Sequence, residues 1–181
     1  MTATMAVQDA MHPRMTLPRF TAWLLLAALV VALDLWTKHL ATANLELYRP
    51  VPVTGWMNLT LAHNTGAAFS LFADAAGWQR WFFIVVASGI SVFLVIWLWR
   101  LPLSARLLPA ALMLILGGAI GNLVDRVRLG YVVDFIDLHY NNWHWPAFNL
   151  ADSAIVIGVT LMLVESLLPP RKPPEKLDGT L

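Results

Sequence analysis

Four apolar windows, each near the length of a membrane-spanning helix, limit what this chain can fold into more than any other feature of its sequence. A helix that crosses a bilayer needs about 20 predominantly apolar residues. The windows cover residues 20–40, 81–99, 107–124 and 150–168. Of the 181 residues, 59% are hydrophobic and 13% are charged, against roughly 25% charged in ordinary soluble domains. We therefore predict a mainly α-helical membrane protein with four transmembrane helices.

A cleaved signal peptide is the alternative interpretation of the first window. Arg14 and Arg19 precede the window, and the small residues at 41–43 resemble a cleavage site. The intervening segment 34–39 is charged and long for a cleavage region, and three more apolar windows follow. We therefore interpret the first window as a transmembrane helix.

The basic residues predict how the helices are oriented. Four spans place both termini and the connection at residues 100–106 on one side of the membrane. Seven of the twelve Lys and Arg residues lie on that side, and such residues accumulate on the cytoplasmic side. We predict cytoplasmic termini, with residues 1–19 as an extension, 20–168 as the membrane domain and 169–181 as a Pro-rich tail. The loops at 41–80 and 125–149 are then periplasmic.

Alternating apolar and polar residues predict two short strands in the outer loops. Residues 57–61 alternate with the period of a half-buried strand and are bounded by Pro and Gly. Residues 131–136 form a second apolar stretch after the turn residue Gly130. We expect a small antiparallel sheet against the outer membrane face.

Several chemistries lack their residues in this chain. There is no Cys, which excludes disulfides and thiolate chemistry, and there is no HExxH, GxSxG or phosphate-binding loop. His139, His144 and Asp137 are the one candidate metal set, and we interpret them as interfacial side chains instead. No basic stripe suggests nucleic acid. We expect no metal, no organic cofactor and no nucleic-acid partner.

Polar residues gather at the outer ends of the predicted spans. Ionisable groups inside apolar spans cost about 2.5 to 3.5 kcal/mol each at a helix centre, so they usually serve a function. Eight such polar residues come from separate parts of the chain, and the predicted topology places all of them at the same depth in the membrane, at or just beyond the outer ends of the spans. They are Asp34, Lys38, Asn122, Asp125, Arg126, Asp134, Asn149 and Asp152.

Two of these pairs have simple structural interpretations. Asp34 and Lys38 are four residues apart with the acid first, the order of an intrahelical ion pair. Asp125 and Arg126 are neighbours and form, in the simplest interpretation, an interfacial ion pair.

Two further pairs are also open to structural interpretations. Asn149 and Asp152 have the spacing of the N-cap and N3 positions at the start of the fourth span. Gly117 and Gly121 form a small-xxx-small pair, which is typical of close helix packing.

Asp134 is the most unusual of the acidic residues. Strand alternation puts it on the same face as Val132 and Ile136, among apolar neighbours, unless a bulge turns it to solvent. Burial raises the pKa of such a carboxyl, and a second carboxylate nearby raises it further. Two carboxyls in that situation share a proton and perform acid and base chemistry together.

Five blocks together resemble the bacterial lipoprotein signal peptidases, also called signal peptidase II. They occur in the order and with the spacing of that family, from residue 34 to the end of the fourth span. The blocks are Asp34-x-x-x-Lys38, Asn64-Thr65-Gly66-Ala67-Ala68-Phe69, Gly121-Asn122-Leu123-Val124-Asp125-Arg126, Val133-Asp134-Phe135 and Phe148-Asn149-Leu150-Ala151-Asp152.

The resemblance implies an aspartic endopeptidase of the bacterial cytoplasmic membrane. Such an enzyme removes the signal peptide of prolipoproteins whose cysteine carries a diacylglyceryl group, acts among membrane lipids, and is expected here as a monomer. By motif, Asp134 and Asp152 correspond to the catalytic pair. Residues that line the site are Asn64, Asn122, Arg126 and Asn149, and structural residues near it are Asp34, Lys38, Gly66 and Asp125. The sheet corresponds to the family's substrate-cradling element.

A proton-coupled transporter and a structural assembly protein are the rival classes. A transporter needs charged residues along a path through the membrane. Glu165 is the one acid predicted on the cytoplasmic half of a span, so the sequence favours the peptidase.

Overall fold

Four long helices make up most of the computed structural model, which describes residues 15–66 and 77–168. The helices are α1 (Leu17–Asn44), α2 (Trp78–Arg100), α3 (Leu107–Arg128) and α4 (Leu150–Leu167). Each is long and apolar enough to cross a membrane, which confirms the predicted spans. The predictions for residues 1–14, 67–76 and 169–181 lie outside the described residues.

The helices extend beyond the predicted windows. Helix α1 has 28 residues, begins with Pro18 in its first turn and ends at Asn44. The first four residues of the predicted loop 41–80 therefore belong to the last turn of this helix. Helix α2 begins at Trp78 rather than residue 81. Hydropathy detects the lipid-facing part of a helix, whereas polar terminal turns are also helical, and this explains both differences. Proline is well tolerated in a first turn because its missing N–H has no helical partner there.

A four-stranded antiparallel sheet joins the helices at one end of the bundle. Its strands, in the order of the sheet, are β1 (Val51–Thr54), β2 (Met57–Asn64), β3 (Val132–Tyr140) and β4 (Trp143–His144). Both predicted strands are present but longer than predicted. Strand β1 was not predicted because it contains Pro52 and is exposed throughout, as suits an edge strand. Strand β4 has two residues and carries no periodicity.

The pairing of β2 with β3 fixes where Asp134 lies. Ala62 pairs with Asp134 and Leu59 with Ile136, and the register shifts between these two pairs. The irregularity is therefore in β2 and does not turn Asp134 outward. Asp134 is 2% exposed, so the alternative of a solvent-exposed bulge residue is wrong.

Helix α3 lies at the centre of the bundle. Half of its span is buried, compared with 11–17% of the other three spans. Its buried residues include Leu112, Met113 and Leu116, which pack with Leu98 of α2 in the apolar core. The outer faces of the other helices present side chains such as Leu25 and Val85, as expected of surfaces that contact lipid.

Glycines let α3 approach its neighbours closely. A Cβ on Gly117 would collide with Val30 of α1, and one on Gly121 would collide with the Asp34 carboxylate. The predicted close packing at this glycine pair is therefore present. A Cβ on Gly118 would meet the backbone of Ala151 in α4. The polar ends of α1, α3 and α4 meet because these positions carry no side chain.

Candidate active site

Asp134 and Asp152 line one cavity although they come from different elements. Asp134 lies in the middle of β3, and Asp152 is the third residue of α4. The cavity has a volume of about 1090 Å³, and its lining includes Asn64, Asn122 and Arg126. The structure therefore brings together the two predicted catalytic residues and three of the four residues predicted to line the site.

Both oxygens of Asp134 accept hydrogen bonds from side-chain amides. Asn64 Nδ2 donates to Oδ2 at 3.0 Å, and Asn149 Nδ2 donates to Oδ1 at 2.8 Å. Burial, with the repulsion of nearby Asp152, raises the pKa of Asp134 to about 7, although the two amides oppose the shift. Asp134 is thus able to hold a proton near neutral pH.

Asp152 accepts one bond on each oxygen. Asn122 Nδ2 donates to Oδ1 at 2.8 Å, and the backbone N–H of Asn149 donates to Oδ2 at 3.2 Å. Asn149 Oδ1 in turn accepts the backbone N–H of Asp152 at 2.9 Å, which completes a capping box. The capping interpretation of this pair is confirmed. The cap uses only Oδ2 of Asp152, and Oδ1 remains bound to Asn122. Asp152 is therefore able to cap the helix and to line the cavity at the same time.

Backbone donors fix the orientation of two of the amides. Asn149 Oδ1 is held by the helix N-terminus, and Asn64 Oδ1 accepts the backbone N–H of Gly66 at 3.0 Å. The NH₂ group of each amide must therefore face Asp134. Asn149, which is fully buried, also lies within reach of Val133 O and Asn122 Oδ1.

Lys38 is the centre of a buried ionic cluster beside the aspartates. Its Nζ lies 2.8 Å from Asp34 Oδ2 and 2.9 Å from Asp125 Oδ2, and it donates to Asn122 Oδ1 at 2.9 Å. The predicted intrahelical pair of Asp34 and Lys38 is present, but as one part of this larger cluster. Asp34 Oδ1 also accepts the backbone N–H of Ala151 at 2.9 Å, which links α1 to the start of α4.

Asp125 is bonded within this cluster rather than to its neighbour. Besides Lys38, it accepts the backbone N–H of Val133 at 3.1 Å. Between the described residues no ion pair joins Asp125 to Arg126, so the simple interfacial pair was a wrong interpretation. Gly130 forms the turn between the end of α3 and the start of β3, and its φ of 88° suits a residue without a Cβ.

Arg126 connects α3 to the segment that follows Asn64, the last residue of β2. It donates to Gly66 O at 3.1 Å and to Asn122 O at 3.4 Å, and its guanidinium lies 4.9 Å from the centre of the Phe83 ring. Arg80 donates to the carbonyl oxygens of Arg126 and Val127 at 2.9 Å each. Sequence reasoning missed Arg80 and Phe83, whose sole signal was their place at the outer end of a span.

Three histidines near the sheet take other roles. His63 lines the cavity and stacks on Tyr131 at 3.9 Å, and burial lowers its pKa. His144 Nδ1 lies 2.8 Å from Asp137 Oδ1, and its ring stacks on His139. Burial alone would raise the pKa of Asp137, but hydrogen bonds from His144, and also from Asn58 and Thr60, outweigh burial and lower it.

Two solved structures share this fold. Both are described as bacterial membrane enzymes; one aligns with a TM-score of 0.74 at 31% identity, covering 87% of this chain and 92% of that chain. The other has a TM-score of 0.70 at 30% identity and covers 87% and 97%. The four membrane-length helices with a small sheet at one end are thus the fold of known bacterial membrane enzymes.

The sequence matches identify the family within this class. The model of the family described as signal peptidase (SPase) II matches residues 26–168. A lipoprotein signal peptidase of Acinetobacter baumannii is 50% identical over 162 residues, 90% of this chain and 92% of the relative. One of Teredinibacter turnerae is 54% identical over 145 residues, 80% and 86%. The chain belongs to the signal peptidase II family and is therefore a peptidase.

Proposed function

We propose that this peptidase is an aspartic endopeptidase that removes signal peptides from diacylglyceryl-modified prolipoproteins, cutting before the lipidated cysteine. The observation that carries the proposal is the placement of Asp134 and Asp152 on one cavity, with Asp134 able to stay protonated near neutral pH. The relatives named lipoprotein signal peptidases support the substrate class.

The proposed reaction uses the two carboxyls as base and acid. The ionised carboxylate accepts a proton from a water molecule, and the hydroxide oxygen forms a bond to the scissile carbonyl carbon. The protonated carboxyl donates its proton to the carbonyl oxygen. In the collapse that follows, that proton returns, the C–N bond breaks, and the leaving amine takes the proton held by the first carboxyl. No step needs a metal or an organic cofactor.

The cavity suits a substrate that lies partly in lipid. Its polar wall contains the two aspartates, whereas Ile155, Val156 and Ile157 of α4 form an apolar wall. Val156 and Ile157 are exposed on the outer face of the bundle. A signal helix and acyl chains are able to stay beside this face while the scissile peptide reaches the aspartates and water.

We also propose that the protein spans the bacterial cytoplasmic membrane with both termini in the cytoplasm. The basic residues support this orientation. The sheet and the aspartates then lie on the periplasmic side, where a translocated prolipoprotein presents its signal peptide. A monomer is sufficient, because this chain alone supplies every side chain that the reaction uses.

A transporter is the weaker candidate. The buried ion pairs of the described residues gather at one end of the bundle, around Lys38. Glu165 lies in the last turn of α4, at the other end. The apolar core formed by Leu98, Leu112 and Met113 separates the two levels, so this arrangement favours a surface-accessible reaction site.

The test is cleavage of a synthetic prolipoprotein by the purified protein in lipid. Mass spectrometry should find a new amino terminus at the diacylglyceryl-cysteine. The matched control is the same peptide with an unmodified cysteine, which should stay intact, and Asp152→Asn protein should cut neither. A cut elsewhere, or equal cutting of both peptides, would contradict the substrate assignment.

A further inference from the structure

Lys38 makes three contacts, and one of them leads to a catalytic aspartate. Two contacts are the ion pairs with Asp34 and Asp125, and the third is the donated bond to Asn122 Oδ1 at 2.9 Å. The Lys38 side chain is 3% exposed, so water does not compete for these contacts. Two carboxylates already neutralise the ammonium group, and therefore the third contact is not needed for charge balance.

The bond to Lys38 is the shorter, charge-assisted one of two contacts that set which way the Asn122 amide points. An ammonium group has three donors and no acceptor, so only the amide oxygen of Asn122 is able to face it. The NH₂ group must then point away, and it donates to Asp152 Oδ1 at 2.8 Å. Asn149 Nδ2 also donates to this oxygen at 3.1 Å, but the same NH₂ group donates to Asp134 Oδ1 at 2.8 Å. Without Lys38, this shared neutral contact alone would hold the oxygen of Asn122 away from Asp152.

The orientation of this amide distinguishes the two aspartates. A donated N–H stabilises a carboxylate more than a neutral carboxyl, and Asp152 also lies in the first turn of α4, where the helix dipole favours negative charge. Asp134 receives two amide bonds as well, but it is 2% exposed and strongly desolvated. The two environments therefore differ in how well each stabilises a negative charge.

We propose that Lys38 is a positioning residue for catalysis, which holds the Asn122 amide so that Asp152 is the base toward water and Asp134 is the acid toward the carbonyl. This inference rests on the proposed peptidase function. In the reaction, Asp152 takes the proton of the attacking water, and Asp134 gives its own proton to the carbonyl oxygen. Lys38 itself touches neither water nor substrate.

Other charged groups surround the pair and must be separated from this effect. They come from every element that packs there: Asp34 and Lys38 of α1, Asp125 and Arg126 of α3, and His63 of β2. A merely structural Lys38 would change the folded fraction of the protein. It would not change which pH values support turnover by the folded molecules.

The first test is the near-isosteric variant Asn122→Leu. It leaves both ion pairs of Lys38 in place and adds no charge, but it presents no N–H to Asp152. We expect the acid limb of kcat/KM against pH to move up by about one pH unit or more, with turnover on that limb about tenfold slower. A folded variant with the wild-type acid limb would overturn the proposal.

The second test changes Lys38 itself. The double variant Lys38→Met/Asp34→Asn removes the amide's anchor while the cluster keeps its net charge of −1, carried by Asp125, and it should move the acid limb in the same direction. Asp34→Asn is the matched control, because it keeps Lys38 and its bond to Asn122, and removing a negative charge cannot move that limb upward. An unmoved acid limb in the double variant, or its failure to fold, would make Lys38 structural and overturn the proposal.

The wild-type protein separates this inference from the proposed function. If it releases no signal peptide from the lipidated substrate, the function is wrong. If it does, and the variants keep the wild-type pH profile, then only the role of Lys38 is wrong.

Discussion

Asn149 binds Asp134 and Asp152 with opposite ends of one side-chain amide. Its Nδ2 donates to Asp134 Oδ1 at 2.8 Å, and its Oδ1 accepts the backbone N–H of Asp152 at 2.9 Å. The start of helix α4 and the position of strand β3 are therefore set by a single residue. This couples the capping of the helix to the geometry of the candidate dyad.

The variant Asn149→Ser should separate the two roles of this residue. Serine is a good N-cap but has no group that reaches Asp134 with an N–H. We expect a thermal midpoint close to that of the wild type, with turnover reduced about tenfold or more. Differential scanning fluorimetry and the lipopeptide assay measure the two effects. Asn149→Ala, which also loses the cap, should in addition cost about 1 kcal/mol of stability; equal behaviour of both variants would contradict this division.

The aspartates are expected to differ in what their replacement does. Asp134→Asn or Asp152→Asn should leave the protein inserted and folded yet unable to release signal peptides. Asp125→Asn should instead reduce folding or expression, because Asp125 holds Lys38 and the Val133 N–H. Gel mobility of a lipidated prolipoprotein reports turnover, and the yield of monodisperse protein reports folding. A stable Asp125→Asn protein without turnover would reverse these roles.

The buried Asp134 should make stability depend on pH. Its pKa is raised from 3.8 to about 7 in the folded protein, so between these values the folded state holds a proton that the unfolded chain releases. The contribution that protonated Asp134 makes to the free energy of unfolding is fully present below pH 3.8 and is lost as the pH rises to about 7. We expect the free energy of unfolding to fall across this window, and turnover to fall above it as the acid loses its proton.

Asp134→Asn is the control for this pH dependence, because other buried groups also titrate. The slope of the unfolding free energy against pH should be shallower in the variant. Identical slopes in the two proteins would show that Asp134 is not protonated in the folded state.

The sequence predicted the parts of this structure that depend on local pattern. Apolar length revealed the four spans, strand alternation placed Asp134 on the buried face, and spacing revealed the cap formed by Asn149. Patterns failed where a strand has no periodicity, as in β1 and β4. They also failed where a partner is distant in the chain, as with Lys38 and Asp125, or Arg80 and the carbonyl oxygens at the end of α3. Such contacts depend on how helices pack, which hydropathy does not report.

Gly121 should not tolerate a side chain. A Cβ at this position would collide with the carboxylate of Asp34, which is itself held by Lys38 and by the Ala151 N–H. We expect Gly121→Ala to lower the thermal midpoint and to reduce turnover by displacing the start of α4. Gly89→Ala is the matched control, since a Cβ there would meet nothing within 4 Å. Equal midpoints for the two variants would contradict the close approach of α1 and α3.

The orientation in the membrane is testable because the chain contains no cysteine. Asn142→Cys places a thiol between β3 and β4, on the side of the aspartates, and Ser104→Cys places one in the connection between α2 and α3; both native residues are exposed. If basic residues such as Arg100 and Arg106 stay in the cytoplasm, a membrane-impermeant maleimide should label Asn142→Cys in right-side-out vesicles. It should label Ser104→Cys only in inverted ones. The reverse pattern would place the aspartates in the cytoplasm, where no translocated prolipoprotein would reach them.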